Sequence, residues 1–136
     1  MSSLNALPSP GTILAIDDAD DVLGKISAIA ADAGYTCHCA HDAQSAQESA
    51  RRTTPDLIIA DINLAGHSGV AICEQLKKQI GHADLPVMFL SAAQGPDIIR
   101  RGNPTGGTYF LRKPFDAAVL VQLIEKSRHV LHLAHH

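Results

Sequence analysis

The stretch Asp56-Leu57-Ile58-Ile59-Ala60-Asp61 is an apolar run that ends in a carboxylate. Upstream, Thr12-Ile13-Leu14-Ala15-Ile16 has the same form and runs into Asp17-Asp18. Neither run alternates apolar with polar residues. Each therefore predicts a strand buried on both faces, the pattern of a parallel sheet. Three more candidate strands follow the same reading: Tyr35 to Ala40, Pro86 to Ser91, and Thr108 to Leu111, the last running into Arg112-Lys113-Pro114.

Helical spacing fills the gaps between them. Val22, Ile26 and Ile29 recur on one helix face, and Gly34 closes that helix. Residues 43–53 predict a polar, Ala-rich helix stopped by Pro55. A Gly-rich loop spans Ala65 to Gly69, and Val70 to Ile80 follows as helix with Ile72, Leu76 and Ile80 on one side. The last helix starts near Asp116, a candidate N-cap. Val119, Leu120, Leu123, Ile124 and Leu131 mark its expected inner face. Between strands four and five, Gly95-Pro96 can open a helix but Gly102-Asn103-Pro104 stops it. The fourth helix is expected to be short or frayed. Strands alternating with helices give an α/β, doubly wound sheet.

The 136 residues fit one domain. We expect a flexible tail over residues 1–11 and a folded unit over 12–134. No apolar run approaches the roughly 18 residues of a membrane span. The opening MSSLNALPSPG has neither the basic nor the long apolar segment of a secretory signal. A cytoplasmic location is the default expectation. A net charge of −3 argues against a nucleic-acid or anionic-membrane surface. Three cysteines without an export signal do not suggest a disulfide framework. Cys37 and Cys39 flank His38 on a strand, so they point away from it and do not form a four-ligand zinc site. His129, His132 and His136 share a face at the C-terminus, where a solvated end is the simpler reading.

In a doubly wound sheet, ligands bind beyond the strand C-termini. Asp17, Asp18, Asp61, Ser91 and Lys113 would all converge there. Crowded carboxylates raise one another's pKa, and a hard divalent cation relieves this. Mg²⁺ prefers oxygen ligands and keeps sites for water and phosphate oxygens. Lys113 can pair with a phosphoryl oxygen and Ser91 can donate to another. Phosphoryl transfer depends mainly on positioning and charge neutralisation, which this set supplies. An aspartate nucleophile is an established covalent strategy.

The pieces ILAIDDAD, PDLIIADINLAGHSG, VMFLSA and YFLRKPF together resemble the response-regulator receiver domain of two-component signalling. The resemblance runs from about Thr12 to Leu131. It implies a flavodoxin-like five-stranded parallel sheet of order 2-1-3-4-5 with helices on both faces. It implies that Asp61 is the phosphoacceptor, with Mg²⁺ or Mn²⁺ held by Asp18, Asp61, the backbone carbonyl of Asn63, and Asp17 largely through water. Lys113 would contact the phosphoryl group, before an often-cis peptide bond to Pro114. Ser91 takes the switch hydroxyl position, Phe110 the switch aromatic position, and Gly69 closes the acceptor loop. The implied partner is a sensor histidine kinase or a histidine phosphotransfer protein. The implied role is signalling rather than enzymatic. Homodimerisation stays open, because the face it would use includes the altered fourth helix.

Four departures stand out. Leu64-Ala65 replaces a common Met-Pro, Phe110 replaces the commoner tyrosine, Ala93 has no polar group to orient water, and, most consequentially, the broken fourth helix alters the face through which many receivers signal. Two other function classes compete. A haloacid-dehalogenase-type phosphatase would need a second aspartate two residues after Asp61, where Asn63 stands. A phosphorylation-independent binding module would keep the fold and lose the metal.

Overall fold

The computed structural model describes residues 11–92 and 108–134. In chain order the elements are β1 (Thr12–Ile16), α1 (Asp20–Asp32), β2 (Thr36–Ala40), α2 (Ala43–Thr53) and β3 (Leu57–Asp61). They continue with β4 (Asn63–Leu64), β5 (His67–Ser68), α3 (Gly69–Ile80), β6 (Val87–Ser91), β7 (Thr108–Arg112) and α4 (Ala117–Ala134). The five long strands form one parallel sheet of order β2-β1-β3-β6-β7. This is the expected 2-1-3-4-5 order once the two short strands are set aside. Most of the expected tail (residues 1–10) and the expected short fourth helix lie outside the described residues.

Alternation along the strands splits the core into two layers. Leu14, Ile16, Ile58, Ala60 and Phe89 face α2 and α3, where they meet Ala46, Ala50, Ile72 and Leu76. Ile13, Ala15, Ile59, Met88 and Leu90 face α1 and α4, where they meet Leu23, Ile26, Ala30, Leu120 and Ile124. The central strand β3 is buried at every residue, as its unbroken apolar sequence predicts.

Local chemistry sets the helix ends. Asp42 caps α2 through Ser45 in a reciprocal capping box. Ser68 caps α3, and Asp116 accepts from the Ala118 N–H at 3.3 Å at the start of α4. Gly34, with φ of 94°, follows α1 in the left-handed region, as the sequence reading expects. One expectation fails. Val119 does not lie on the inner face of α4 but is 39% exposed, because the buried stripe is Leu120, Ile124 and Ser127.

The predicted Gly-rich loop also differs. It folds into the two-stranded antiparallel β4–β5 hairpin, with Leu64 opposite His67. The two turn residues, Ala65 and Gly66, have φ of 49° and 89°. Positive φ at both central positions is the signature of a type I′ turn. Proline, fixed near −65°, cannot occupy position 65 in this turn. Alanine in place of the common proline at position 65 therefore suits this turn.

Candidate functional site

Register brings the site together. Ile16 pairs with Ala60, so Asp17 and Asp61 leave neighbouring strands at the same level. Ser91 ends β6 opposite Arg112, and the Lys113 N–H continues that ladder by donating to the Ser91 carbonyl at 2.8 Å. The peptide bond from Lys113 to Pro114 is cis, as expected. Asp17, Asp18 and Asp61 each place a carboxylate oxygen within 4.8 Å of the others. Among the described residues, this is the group of three or more candidate ligands that converges. The Cys37-His38-Cys39 stretch does not. Its thiols approach backbone carbonyls instead, Cys39 Sγ to Leu23 O and Cys37 Sγ to His38 O.

Lys113 closes the site. Its Nζ lies 2.8 Å from Asp17 Oδ2 and 3.0 Å from Asp61 Oδ2. Burial works against the ammonium, yet Asp17 and Asp61 outweigh it and hold its pKa above the ordinary lysine value. Asp17 is fully buried. Its Oδ1 accepts the Ala19 N–H at 2.9 Å. Burial is the main cause that raises its pKa, against the pull of Lys113 and the Ala19 N–H. The neighbouring Asp61 adds only the smallest push. Like-charge crowding is thus a minor effect here, and desolvation is the major one.

The residues fit a hard divalent cation. Asp17 Oδ2 is buried and accepts no hydrogen bond. Its positive neighbour is the Lys113 ammonium at 2.8 Å, which Asp61 shares, so one ammonium faces two carboxylates. Such a group is costly unless something positive takes it up. Two further carboxylates share the same small volume, and all three offer only oxygen, the donor that Mg²⁺ prefers.

The loop after β3 is held from several directions. Asp61 Oδ1 accepts the Asn63 N–H at 3.0 Å. Asn63 Oδ1 accepts the Gly66 N–H at 3.2 Å, so this side chain braces the hairpin. Gly69 returns the chain against β3, and its N–H donates to the Ile62 carbonyl at 2.8 Å. A Cβ at Gly69 would collide with the Asp61 carbonyl oxygen, which is why glycine stands there. Ser91 is 7% exposed. Two residues earlier on the same strand face, Phe89 packs on Phe110 with ring centroids 5.8 Å apart. Phe110 is half-buried.

Sequence reading missed Lys25. Its Nζ donates to the Phe115 carbonyl at 2.8 Å and lies 4.4 Å from the Phe115 ring centroid. A lysine on an exposed helix position gives no signal of a contact 90 residues away.

The family model for the response regulator receiver domain matches residues 13–125. The chain belongs to this family. Over 117 residues the receiver is 29% identical to the DNA-binding transcriptional regulator NtrC of Escherichia coli, a match covering 86% of this chain and 24% of that protein. It is 33% identical to the phosphate regulon transcriptional regulatory protein PhoB of Pseudomonas aeruginosa, covering 81% of this chain and 48% of PhoB. This receiver therefore spans about a quarter of NtrC and about half of PhoB. Among solved structures, the chemotaxis response regulator CheY4 of Vibrio cholerae superposes with a TM-score of 0.76 at 27% identity, over 85% of this chain and 97% of that one. The chain is a two-component signalling receiver with an aspartate cluster able to hold a metal. Among the described residues, no helix is long and apolar enough to cross a membrane.

Proposed function

We propose that Asp61 is the phosphoacceptor of this receiver and takes its phosphoryl group from the phosphohistidine of a sensor histidine kinase or a phosphotransfer protein. One observation carries the reading. Asp61 ends the central strand and shares the ammonium of Lys113 with the buried Asp17, inside a trio of carboxylates. Asp17, Asp18, Asp61 and the carbonyl of Asn63 would hold Mg²⁺ or Mn²⁺, which supplies charge neutralisation and orients phosphoryl oxygens.

The chain's own groups account for the remaining chemistry. Asp61 Oδ2 attacks phosphorus in line and the donor imidazole leaves with the electrons of its P–N bond. Lys113 stays beside the negative charge that this concentrates on the equatorial oxygens. Ser91, at the end of β6, would donate its hydroxyl to a phosphoryl oxygen. Phe110 then follows Ser91 by shifting against Phe89, the packing change that would carry the signal to the surface. The Asn63 side chain braces a turn and has no acidic proton, which argues for a signal acceptor over a phosphatase. The receiver unit in this reading runs over residues 12–134.

The test is intact-mass spectrometry after incubation with Mg²⁺ and phosphoramidate. The wild type should gain one phosphoryl group and Asp61→Asn none. Equal gain in both proteins, or no gain in the wild type, refutes the assignment.

A further inference from the structure

We propose that Lys25 is a positioning residue for Lys113, holding from α1 the loop that carries the ammonium into the crevice. The proposal rests on the reading of Lys113 as the phosphoryl contact.

The loop from Lys113 to Asp116 joins β7 to α4. Its start is fixed by the Lys113 N–H on the Ser91 carbonyl. Its end is fixed by Asp116, which caps α4 and accepts the Leu120 N–H through its carbonyl at 3.0 Å. Phe115, between them, is 7% exposed and packs in the α1–α4 layer. Lys25 holds Phe115 twice. Its ammonium donates to the Phe115 carbonyl and lies over the Phe115 ring. A charged donor on a carbonyl is stronger than a neutral one, and an ammonium over a ring adds cation–π attraction.

The alternative partner makes the contact more informative. Asp21 lies four residues before Lys25 on α1, the favourable order for a helical ion pair. Among the described residues Lys25 forms no ion pair, and its ammonium reaches across to Phe115. An ordinary solvated surface lysine has no reason to prefer a backbone carbonyl on another element. Lys113, two residues from Phe115, must place its Nζ between two carboxylate oxygens at 2.8 and 3.0 Å. Placement errors of about 1 Å at such a group can cost up to about a hundredfold in rate. A tether on the adjoining loop limits that error.

The test compares wild type, Lys25→Met and Lys25→Arg. Methionine keeps the stem and removes both interactions; arginine can restore both. Rates of labelling by phosphoramidate are measured at saturating Mg²⁺, with Mg²⁺ affinity titrated separately. The Lys113 side-chain ammonium resonance is followed by ¹⁵N NMR. Lys25→Met should lower the saturated rate by about three- to tenfold, leave Mg²⁺ affinity within about twofold, and shift the Lys113 resonance. Lys25→Arg should recover most of the rate and the resonance position. A wild-type rate with an unshifted resonance in Lys25→Met overturns the proposal. So does a rate loss matched by an equal loss of Mg²⁺ affinity, since that is general damage to the crevice. A wild type that takes no phosphoryl group refutes the reading of Asp61 instead, and the Lys113 resonance then decides the role of Lys25 alone.

Discussion

Replacing Lys113 by methionine keeps the side-chain stem and removes the charge that two carboxylates share. Asp17 Oδ2 lies 2.8 Å from that charge, and Asp17 is fully buried. At an effective dielectric constant of about 20, such a pair attracts by about 6 kcal/mol, most of it offset by desolvation of both ions. Protonation sets a tighter limit. Without Lys113, Asp17 can escape its buried charge by taking a proton. From the ordinary value of 3.8, holding that proton at pH 7 costs about 4 kcal/mol, and at pH 5 about 1.6 kcal/mol. Lys113→Met should therefore lose up to about 4 kcal/mol at pH 7 and under about 2 kcal/mol at pH 5.

The signs agree with both groups in the wild type. The pKa of Lys113 is raised, so its stabilisation is complete below the ordinary lysine value of 10.5 and is lost only as pH climbs through the folded value. The pKa of Asp17 is also raised, so its buried charge lowers stability as pH rises from 3.8 through its folded value. Removing Lys113 deepens that second effect. The assay is urea unfolding followed by circular dichroism, with chelator and then with saturating Mg²⁺, at both pH values. Mg²⁺ should recover most of the loss at pH 7, because it returns positive charge to the same oxygens. An equal loss at both pH values, or a loss that Mg²⁺ does not touch, would refute the reasoning.

Glycines and the hairpin give three further predictions. Gly24 is an exposed residue within α1, and an added Cβ would meet nothing within 4 Å. Gly24→Ala should raise stability by about 1 kcal/mol in urea unfolding. At Gly69 the same change drives a Cβ into the Asp61 carbonyl, and Gly69→Ala should cost about 3 kcal/mol or more together with lower Mg²⁺ affinity by calorimetry. Ala65 sits at φ of 49°, a conformation that costs a non-glycine residue roughly 1–2 kcal/mol. Ala65→Gly should raise the free energy of unfolding in urea by a net of up to about 1 kcal/mol, while Ala65→Pro should lower it.

The fold was legible because its central strands β1, β3 and β6 are buried on both faces. Thr12 to Ile16, which runs into Asp17, and Leu57 to Asp61 are nearly all apolar up to a carboxylate, so sequence shows both the strand and the edge where ligands bind. Asp17, Asp18, Asp61, Ser91 and Lys113 could be collected from those strand ends without coordinates. The hairpin was not legible, because its turn residues are Ala65-Gly66 instead of the Asn-Gly that marks a type I′ turn. Val119 was misplaced because an apolar residue beside Leu120 looks like core. The stripe is set by Leu120, Ile124 and the buried Ser127, a polar residue that an apolar count skips. Crowding among the carboxylates was legible, but burial, the main cause that raises the pKa of Asp17, cannot be read from the number of carboxylates. Lys25 was invisible because its partner is a backbone carbonyl, and a carbonyl carries no residue identity.

If Asp61 is the phosphoacceptor, it alone carries the phosphoryl group. Borohydride reduces an aspartyl phosphate to homoserine, so reducing the labelled protein and sequencing its peptides by mass spectrometry names the acceptor. Homoserine is expected at position 61 alone, dependent on Mg²⁺. Homoserine at Asp17 or Asp18, or a phosphoryl group retained on a histidine such as His67, would contradict it.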